Sequence, residues 1–283
     1  VSTPSAEGRA AVHGATDGAH APWLEDNAAR LSELAPLSPT ARVARLDEWA
    51  RERDLRTESG CRLRFVPVRA DSAVTGGGGD HRAYEACIHA TGEVLTRVRG
   101  RGATHDLYNA LMWLQWPLTK ARLNALHAAE IAAGGATAPR GRLRDAATVF
   151  DENAVLWVGT DVGLEAALRG FDWSGLFVRE RQRLQTAVRV RVFGHALLEK
   201  LESPFKAITA HAWPMRLAPH TPIGTLDRHL AETFETRVPQ PRMLCPLPLL
   251  GLPGWCEANR DPAFYNDPAV FRPGRRRAVP ASR

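Results

Sequence analysis

Residues 105–130 read HDLYNALMWLQWPLTKARLNALHAAE, and this stretch decides the fold. Its apolar residues recur at helical spacing on both sides of Pro117, which cannot continue a helix and so divides the segment in two. Thr104 is placed to cap a first helix over His105–Trp116, and Thr119 a second that runs to about Ala133, ahead of Gly134-Gly135. In the second helix Lys120, Asn124, His127 and Glu130 share one stripe, beside the apolar Leu123 and Leu126. In the first, His105 and Asn109 are one turn apart, with Asp106 three residues before Asn109. A helical hairpin would let these two polar stripes face each other. Buried polar groups cost about 1–3 kcal/mol each when unpaired, so such a concentration builds either an internal hydrogen-bond network or a site.

Working outward, Trp23–Ala50 has helical periodicity, with Ser38-Pro39 starting the helix that carries Val43, Leu46 and Trp49. Cys61–Val68 alternates as a strand. The following DSAVTGGGGDHRA is a glycine-rich loop that lacks the GK[ST] ending of a phosphate loop. Tyr84–Gly92 reads as a short helix. Downstream, Leu143, Ala147 and Phe150 lie on a helix, Asp151-Glu152-Asn153 form a turn, and Ala154–Val158 form a strand. Asp161–Arg169 is helical. Ala187–Phe193 is a strand that leads through Gly194-His195 into a short helix stopped near Pro204. Ala207–Trp213 is a strand and Leu226–Thr236 a helix. From Pro239 onward proline, glycine and aromatics predict a segment that wraps over the domain. The expectation is an α+β fold: a mainly helical single domain over residues 23–273 with a few short strands. A disordered arm (1–22) precedes it and a basic tail (274–283) follows.

Composition narrows the function. The formal net charge is +6, but removing the five arginines from Arg272 onward leaves +1 for the body. A terminal basic tail is not the footprint of a nucleic-acid-binding domain, so nucleic acid is not the expected partner. No apolar run reaches the roughly 18 residues of a membrane helix, and the N-terminal residues lack a secretory pattern. A cytoplasmic protein is expected. Cys61, Cys87, Cys245 and Cys256 include no CxxC pair, so they read as small buried hydrophobes rather than zinc ligands. There is no G-x-S-x-G, H-E-x-x-H, GxxxxGK[ST] or G-x-G-x-x-G, which disfavours serine hydrolase, zincin, P-loop and Rossmann chemistry.

Six phrases in order, HDLYNALMW, PLTKARLNALHAAEI, RLRDAATVFDEN, FGHALLEKLESP, LPLLGLPGW and DPAFYNDPAVFRP, resemble a bacterial family known as domain of unknown function 3025. The resemblance spans about Trp23 to Pro273. It implies one compact bacterial domain and supplies no mechanism. Members of that family often place Gly after Asn where this chain has Asn153-Ala154, a difference of turn geometry.

The candidate chemistry rests on His–carboxylate pairs. His105-Asp106 is similar to the paired ligand of HD-type metal phosphohydrolases, although Asp106 at a helix start also complements the helix dipole. His127 and Glu130 at i, i+3 can ligate one metal or hydrogen-bond within the helix. Gly194-His195 either fills a strand–helix corner or puts a neutral imidazole at a helix start, with Glu199 one turn on to orient it and Lys200 and Lys206 nearby for an anion. His211 lies in an apolar strand and reads as a satisfied core residue. Arg140, Arg142, Arg144 and Asp145 read as a charge-paired helix start, and Asp261 and Asp267 as turn and cap residues.

Three functional readings follow. The first is a metal-assisted hydrolase acting on a small molecule or anion. In it His105, Asp106, His127 and Glu130 hold a divalent ion, His195 carries the proton with Glu199, Lys120 or Lys200 stabilises negative charge, and Asn109 and Asn124 contact the ligand. The second is a non-catalytic binding or scaffold domain whose polar stripes form a buried network without an open pocket. The third is a nucleic-acid-associated protein that uses the arginine-rich tail. The sequence leaves the oligomeric state undetermined.

Overall fold

The structure is a computed structural model in which residues 21–68, 81–134, 142–237 and 239–274 are described. The expected arm up to residue 20, most of the glycine-rich loop, Arg140 and the tail from residue 275 lie outside them. The architecture is α+β and mainly helical, with two small sheets.

A 3₁₀ turn (Pro22–Asn27) opens the described chain and leads into α1 (Ala28–Leu34) and α2 (Pro39–Glu52), the latter capped by Ser38 as its sequence predicts. The strand β1 (Arg64–Val68), the helix α3 (His81–Thr91) and the strand β2 (Glu93–Arg97) form a parallel β-α-β unit with Arg64 opposite Glu93. The sequence reading had no β2. Its five residues are too few for alternation to stand out beside the stronger helical pattern that follows.

The central hairpin is α4 (Ala103–Gln115) and α5 (Pro117–Gly134). Neither expected threonine cap forms. The helix α4 begins after Gly102, which holds φ +89° with no side-chain cap, and a Cβ there would lie 2.4 Å from the Arg97 guanidinium. The start of α5 is capped from a distant helix, α10 (Ile223–Thr236). Asp227 on α10 accepts from Leu118 N (3.0 Å), Thr119 N (2.9 Å) and Thr119 Oγ1 (2.7 Å). A carboxylate on these orphan amides does what a local cap would do, and also ties α10 to the hairpin.

The helix α6 (Arg142–Asn153) runs straight into β3 (Ala154–Val158). Asp151, Glu152 and Asn153 are therefore its last turn, not a separate turn as their composition suggested. After α7 (Val162–Gly170, capped by Asp161) and α8 (Arg181–Ala187) come β4 (Arg189–Val192), α9 (His195–Lys200) and β5 (Thr209–Met215). The second sheet has the order β4-β3-β5-β6, with β3 parallel to β5 and its other pairings antiparallel. All five residues of β3 are buried, as a central strand covered on both faces requires. Phe150, Phe193, Trp213 and Phe234 pack beside it with ring centroids 4.9–5.7 Å apart.

The proline-rich segment does wrap the domain, and it also supplies an edge strand, β6 (Cys245–Pro248), where two prolines cost the sheet little because one side has no neighbour. Asn259 staples the wrap. It is fully buried, donates to Leu250 O and Leu252 O (both 2.7 Å), and accepts from Arg181 Nη2 (2.9 Å). Cys245 and Cys256 are buried as expected, whereas Cys61 and Cys87 are half-buried; all four are free thiols. His211 is half-buried in β5 and its Nδ1 has no partner, so it is not the satisfied core residue its setting suggested. Asp261 caps a short 3₁₀ turn through Ala263 N, in keeping with its sequence.

Replacing Asn259 by Ala removes the side-chain donor to Leu250 O, one of the two donors to Leu252 O, and the acceptor of Arg181 Nη2. Urea denaturation of Asn259→Ala is expected to show a loss of about 3 kcal/mol, with the wrap released from the core; a loss under about 0.5 kcal/mol would contradict the staple.

Candidate active site

One cavity of about 120 Å³ lies where α3, β2, α4, α5 and α6 meet the start of α9. Its wall includes Tyr84, Glu85, Arg97, His105, Asp106, Asn109, Lys120, Asn124, His127, Thr148, Asp151, Glu152 and His195. The two polar stripes of the hairpin thus meet, and the Lys120 Nζ–Asn109 Oδ1 bond (2.9 Å) joins them.

Lys120 is almost fully buried, so its ammonium needs a counter-charge. Asp151 supplies it from the end of α6, accepting from Nζ at 2.6 and 2.8 Å. Burial by itself would raise the Asp151 pKa, but Lys120, seconded by His195, more than reverses this and holds it at about 2. Asn109 passes the network on by donating to the Tyr84 hydroxyl (3.1 Å). Burial, followed by the nearby carboxylates, raises the Tyr84 pKa well above its usual value, so the phenol stays protonated.

His195 stands at the start of α9 because Gly194 lets two backbones touch. A Cβ at Gly194 would lie 2.4 Å from Glu152 O and 2.6 Å from Asn153 N. This approach brings His195 Nδ1 within 2.9 Å of the Asp151 carbonyl oxygen. A carbonyl only accepts, so Nδ1 carries the hydrogen and Nε2 presents its lone pair. Burial, aided by the charges of Lys120 and His105, lowers the His195 pKa to about 3, and the ring is neutral at ordinary pH.

Across from it stands His105. The two Nε2 atoms are 3.1 Å apart and the rings meet edge to face, with centroids 4.5 Å apart. His105 Nδ1 lies 3.0 Å from Glu199 Oε2. The Nε2–Nε2 hydrogen bond is made when His105 carries a hydrogen on Nε2 and the His195 lone pair accepts it. Side-chain exposure falls along this line of groups from 41% at Glu199 through 32% at His105 to 7% at His195, a path from solvent to the cavity wall.

The remaining candidates are dispersed. Asp106 turns its carboxylate to Arg97, accepting from Nε (2.7 Å), Nη2 (2.6 Å) and the backbone N (2.8 Å), instead of facing a shared point with His105. His127 lines the cavity; Glu130 is half-exposed on the same helix and does not. Among the described residues no group of three or more His, Cys, Asp or Glu is arranged to hold a metal ion. Asn124 lines the cavity and donates to Glu85. Lys200 bonds to Asn153 Oδ1 (2.7 Å) on the exterior, and Lys206 pairs with Asp267 (3.1 Å). The sequence alone does not mark Tyr84, Arg97 or Thr148 as site residues, and it offers Asp151 as a turn residue or a ligand to a divalent ion, not as the partner of Lys120. Asp151 had a signal: a lysine on an apolar helix demands a carboxylate partner, and the nearest acidic cluster downstream begins at Asp151.

The family described as "Protein of unknown function (DUF3025)" matches residues 63–275, and the chain belongs to it. No curated protein and no solved structure matches. No described helix is long and apolar enough to cross a membrane.

Two outcomes are expected. Lys120→Met leaves Asp151 buried without its cation and should cost about 3–5 kcal/mol in chemical denaturation, most of it recovered in Lys120→Met/Asp151→Asn; equal stability of single and double variants would oppose this. The depressed His195 pKa means the unfolded chain binds more protons, so this contribution is whole above about pH 6.5 and is lost as pH falls toward about 3. The slope in that window approaches about 1.4 kcal/mol per pH unit. In His195→Gln it should flatten, and an unchanged pH profile would count against the assignment.

Proposed function

We propose that this cavity is an enzyme active site and that the reaction is hydrolysis of a small molecule by an activated water. The observation that carries the reading is the His105–His195 pair. Two imidazoles facing each other through Nε2, one fixed by a backbone carbonyl and the other by a carboxylate, form a unit that releases and regains one proton next to a cavity. Among the described lining residues there is no Ser or Cys, the Thr148 hydroxyl has no hydrogen bond to a base, and the Asp151 carboxylate is occupied by Lys120, so water is taken as the nucleophile. The deprotonated pair takes the proton of the attacking water and returns it to the leaving group. Glu199 positions His105 and connects the pair to solvent. Asn109, Asn124 and the Tyr84 hydroxyl orient the substrate. Four free thiols and the lack of a spanning helix among the described residues support action in the cytoplasm.

One observation favours a second reading, in which the hydrolysis is metal-assisted. Both Nδ1 atoms face acceptors, the pattern by which metal-ligating histidines are oriented, and this leaves both Nε2 atoms converging. A divalent ion in place of the shared proton would be held by His105 and His195, with the other ligands coming from water or substrate.

The test is a turnover screen over carboxamides, esters, lactones and phosphate esters with wild type, His105→Asn, His195→Gln and Glu199→Gln. Either histidine substitution should lower kcat by about 10²–10⁴, and the Glu199 substitution by less. Turnover that survives both histidine substitutions would sink the reading. Metal analysis of the same proteins separates the two versions: stoichiometric metal lost in His195→Gln supports the ion, and chelator-resistant turnover supports the proton.

A further inference from the structure

Two buried oxygens on residues that line the same cavity as the histidine pair have no hydrogen-bond partner: Asn124 Oδ1 and Thr148 Oγ1. The orientation of the Asn124 amide is fixed, since its nitrogen donates to two acceptors, Glu85 O (2.9 Å) and Glu85 Oε2 (2.7 Å). The other atom is therefore an acceptor in want of a donor. Native proteins leave few buried oxygens in this condition, because each is costly, and a ligand that brings hydrogen-bond donors resolves both.

The charges of the wall say which donor. Its cations are Arg97 and Lys120, and both are already matched, Arg97 by Asp106 in a two-pronged pair and Lys120 by Asp151. An entering carboxylate or phosphate would have to take one of these cations from its own carboxylate, and an anion desolvated without a counter-charge is strongly disfavoured. A cationic ligand finds Asp106 and Asp151 engaged in the same way and Glu85 buried and accepting from Asn124. The fourth carboxylate of the wall, Glu152, is half-exposed, where solvent screening leaves little attraction for a cation. The group that fits is uncharged and carries N–H.

Shape adds the rest. Part of the wall is apolar, formed by Ile88, Leu95, Trp113 and Leu123. The volume of about 120 Å³ is close to that of cavities of about 150 Å³ that admit a benzene ring. We infer that the cavity takes an uncharged carboxamide carried on a compact, flat apolar body, with the amide N–H directed to Asn124 and Thr148 and the body against the apolar wall. This rests on the hydrolytic reading above and names its substrate class. In the reaction the water oxygen bonds to the carbonyl carbon, and the water proton passes to the histidine pair and on to the amide nitrogen. The C–N bond then breaks, releasing ammonia and a carboxylic acid.

Benzamide, benzamidine and benzoate are near-isosteric and carry charges of 0, about +1 and about −1 near neutral pH, so calorimetric titration of the full chain with the three tests the inference directly. Benzamide is expected to bind saturably at one site, with benzamidine and benzoate at least tenfold weaker. Thr148→Val should weaken benzamide about fivefold. The same variant should melt no lower than wild type, because it removes an unsatisfied hydroxyl. The inference is overturned if benzamide does not saturate, if either charged analogue binds as tightly, or if a folded Thr148→Val binds benzamide unchanged. The three-ligand series on wild type stands whether or not that variant folds. Failure of the two readings looks different. Benzoate preferred, with turnover still dependent on His105, removes the carboxamide and keeps the hydrolase. Benzamide preferred, with no His105-dependent turnover, does the opposite.

Discussion

The buried pair of Lys120 and Asp151 is the constraint on which the rest of the site depends. An ammonium this deep is tolerable only with a carboxylate at contact distance, and the carboxylate must come from another element, because the neighbouring positions of α5 are apolar or otherwise engaged. Asp151 meets the requirement from the last turn of α6, which fixes where α6 ends relative to the hairpin. The same residue then uses its backbone carbonyl to hold His195 Nδ1. One residue thus satisfies a charge with its side chain and selects a tautomer with its main chain, so the ion pair and the histidine pair cannot move independently.

Two glycines make this geometry reachable. Gly194 permits the start of α9 to pass against the backbone of Glu152 and Asn153, and Gly102 permits Arg97 to lie across the start of α4. The second contact matters to the site because the Arg97–Asp106 pair anchors the first turn of α4, the turn that carries His105. His105 and His195 come from segments 90 residues apart and meet at 3.1 Å only because each is clamped at its own helix start.

Much of this was legible in the sequence, and the boundary of legibility has physical causes. Helical periodicity placed Asn109, Lys120 and Asn124 on facing stripes, and the strand–Gly–His–helix pattern put His195 at a helix start, since both are local properties of the chain. Pairing across the fold was not local. His105 and Asp106 are adjacent in sequence and invite a shared ligand, yet neighbouring side chains on a helix diverge by about 100°, and each found its partner elsewhere, Glu199 in one case and Arg97 in the other. Asp151 was misread because its composition suits a turn and nothing local reveals that α6 continues to Asn153. The caps failed for a related reason: Thr119 has the chemistry of a cap, but Asp227 on α10 offers the same amides a full charge and takes the position.

Polar groups inside a protein are ambiguous, because a network that fixes the fold and a site that does chemistry use the same residues. Energetics favours the proposed site here. A purely structural network closes on itself, since every unmet donor or acceptor costs free energy, and a buried ion pair is often no more stabilising than apolar residues of the same volume. This network does not close. It spends a lysine, an aspartate and two histidines around an open cavity and leaves the Asn124 and Thr148 oxygens without partners. It also sets the Nε2 atoms of two imidazoles against each other, on a path that reaches solvent at Glu199, where a structural histidine would bond to a single fixed acceptor. Under the proposed function, a bound reactant accounts for both features.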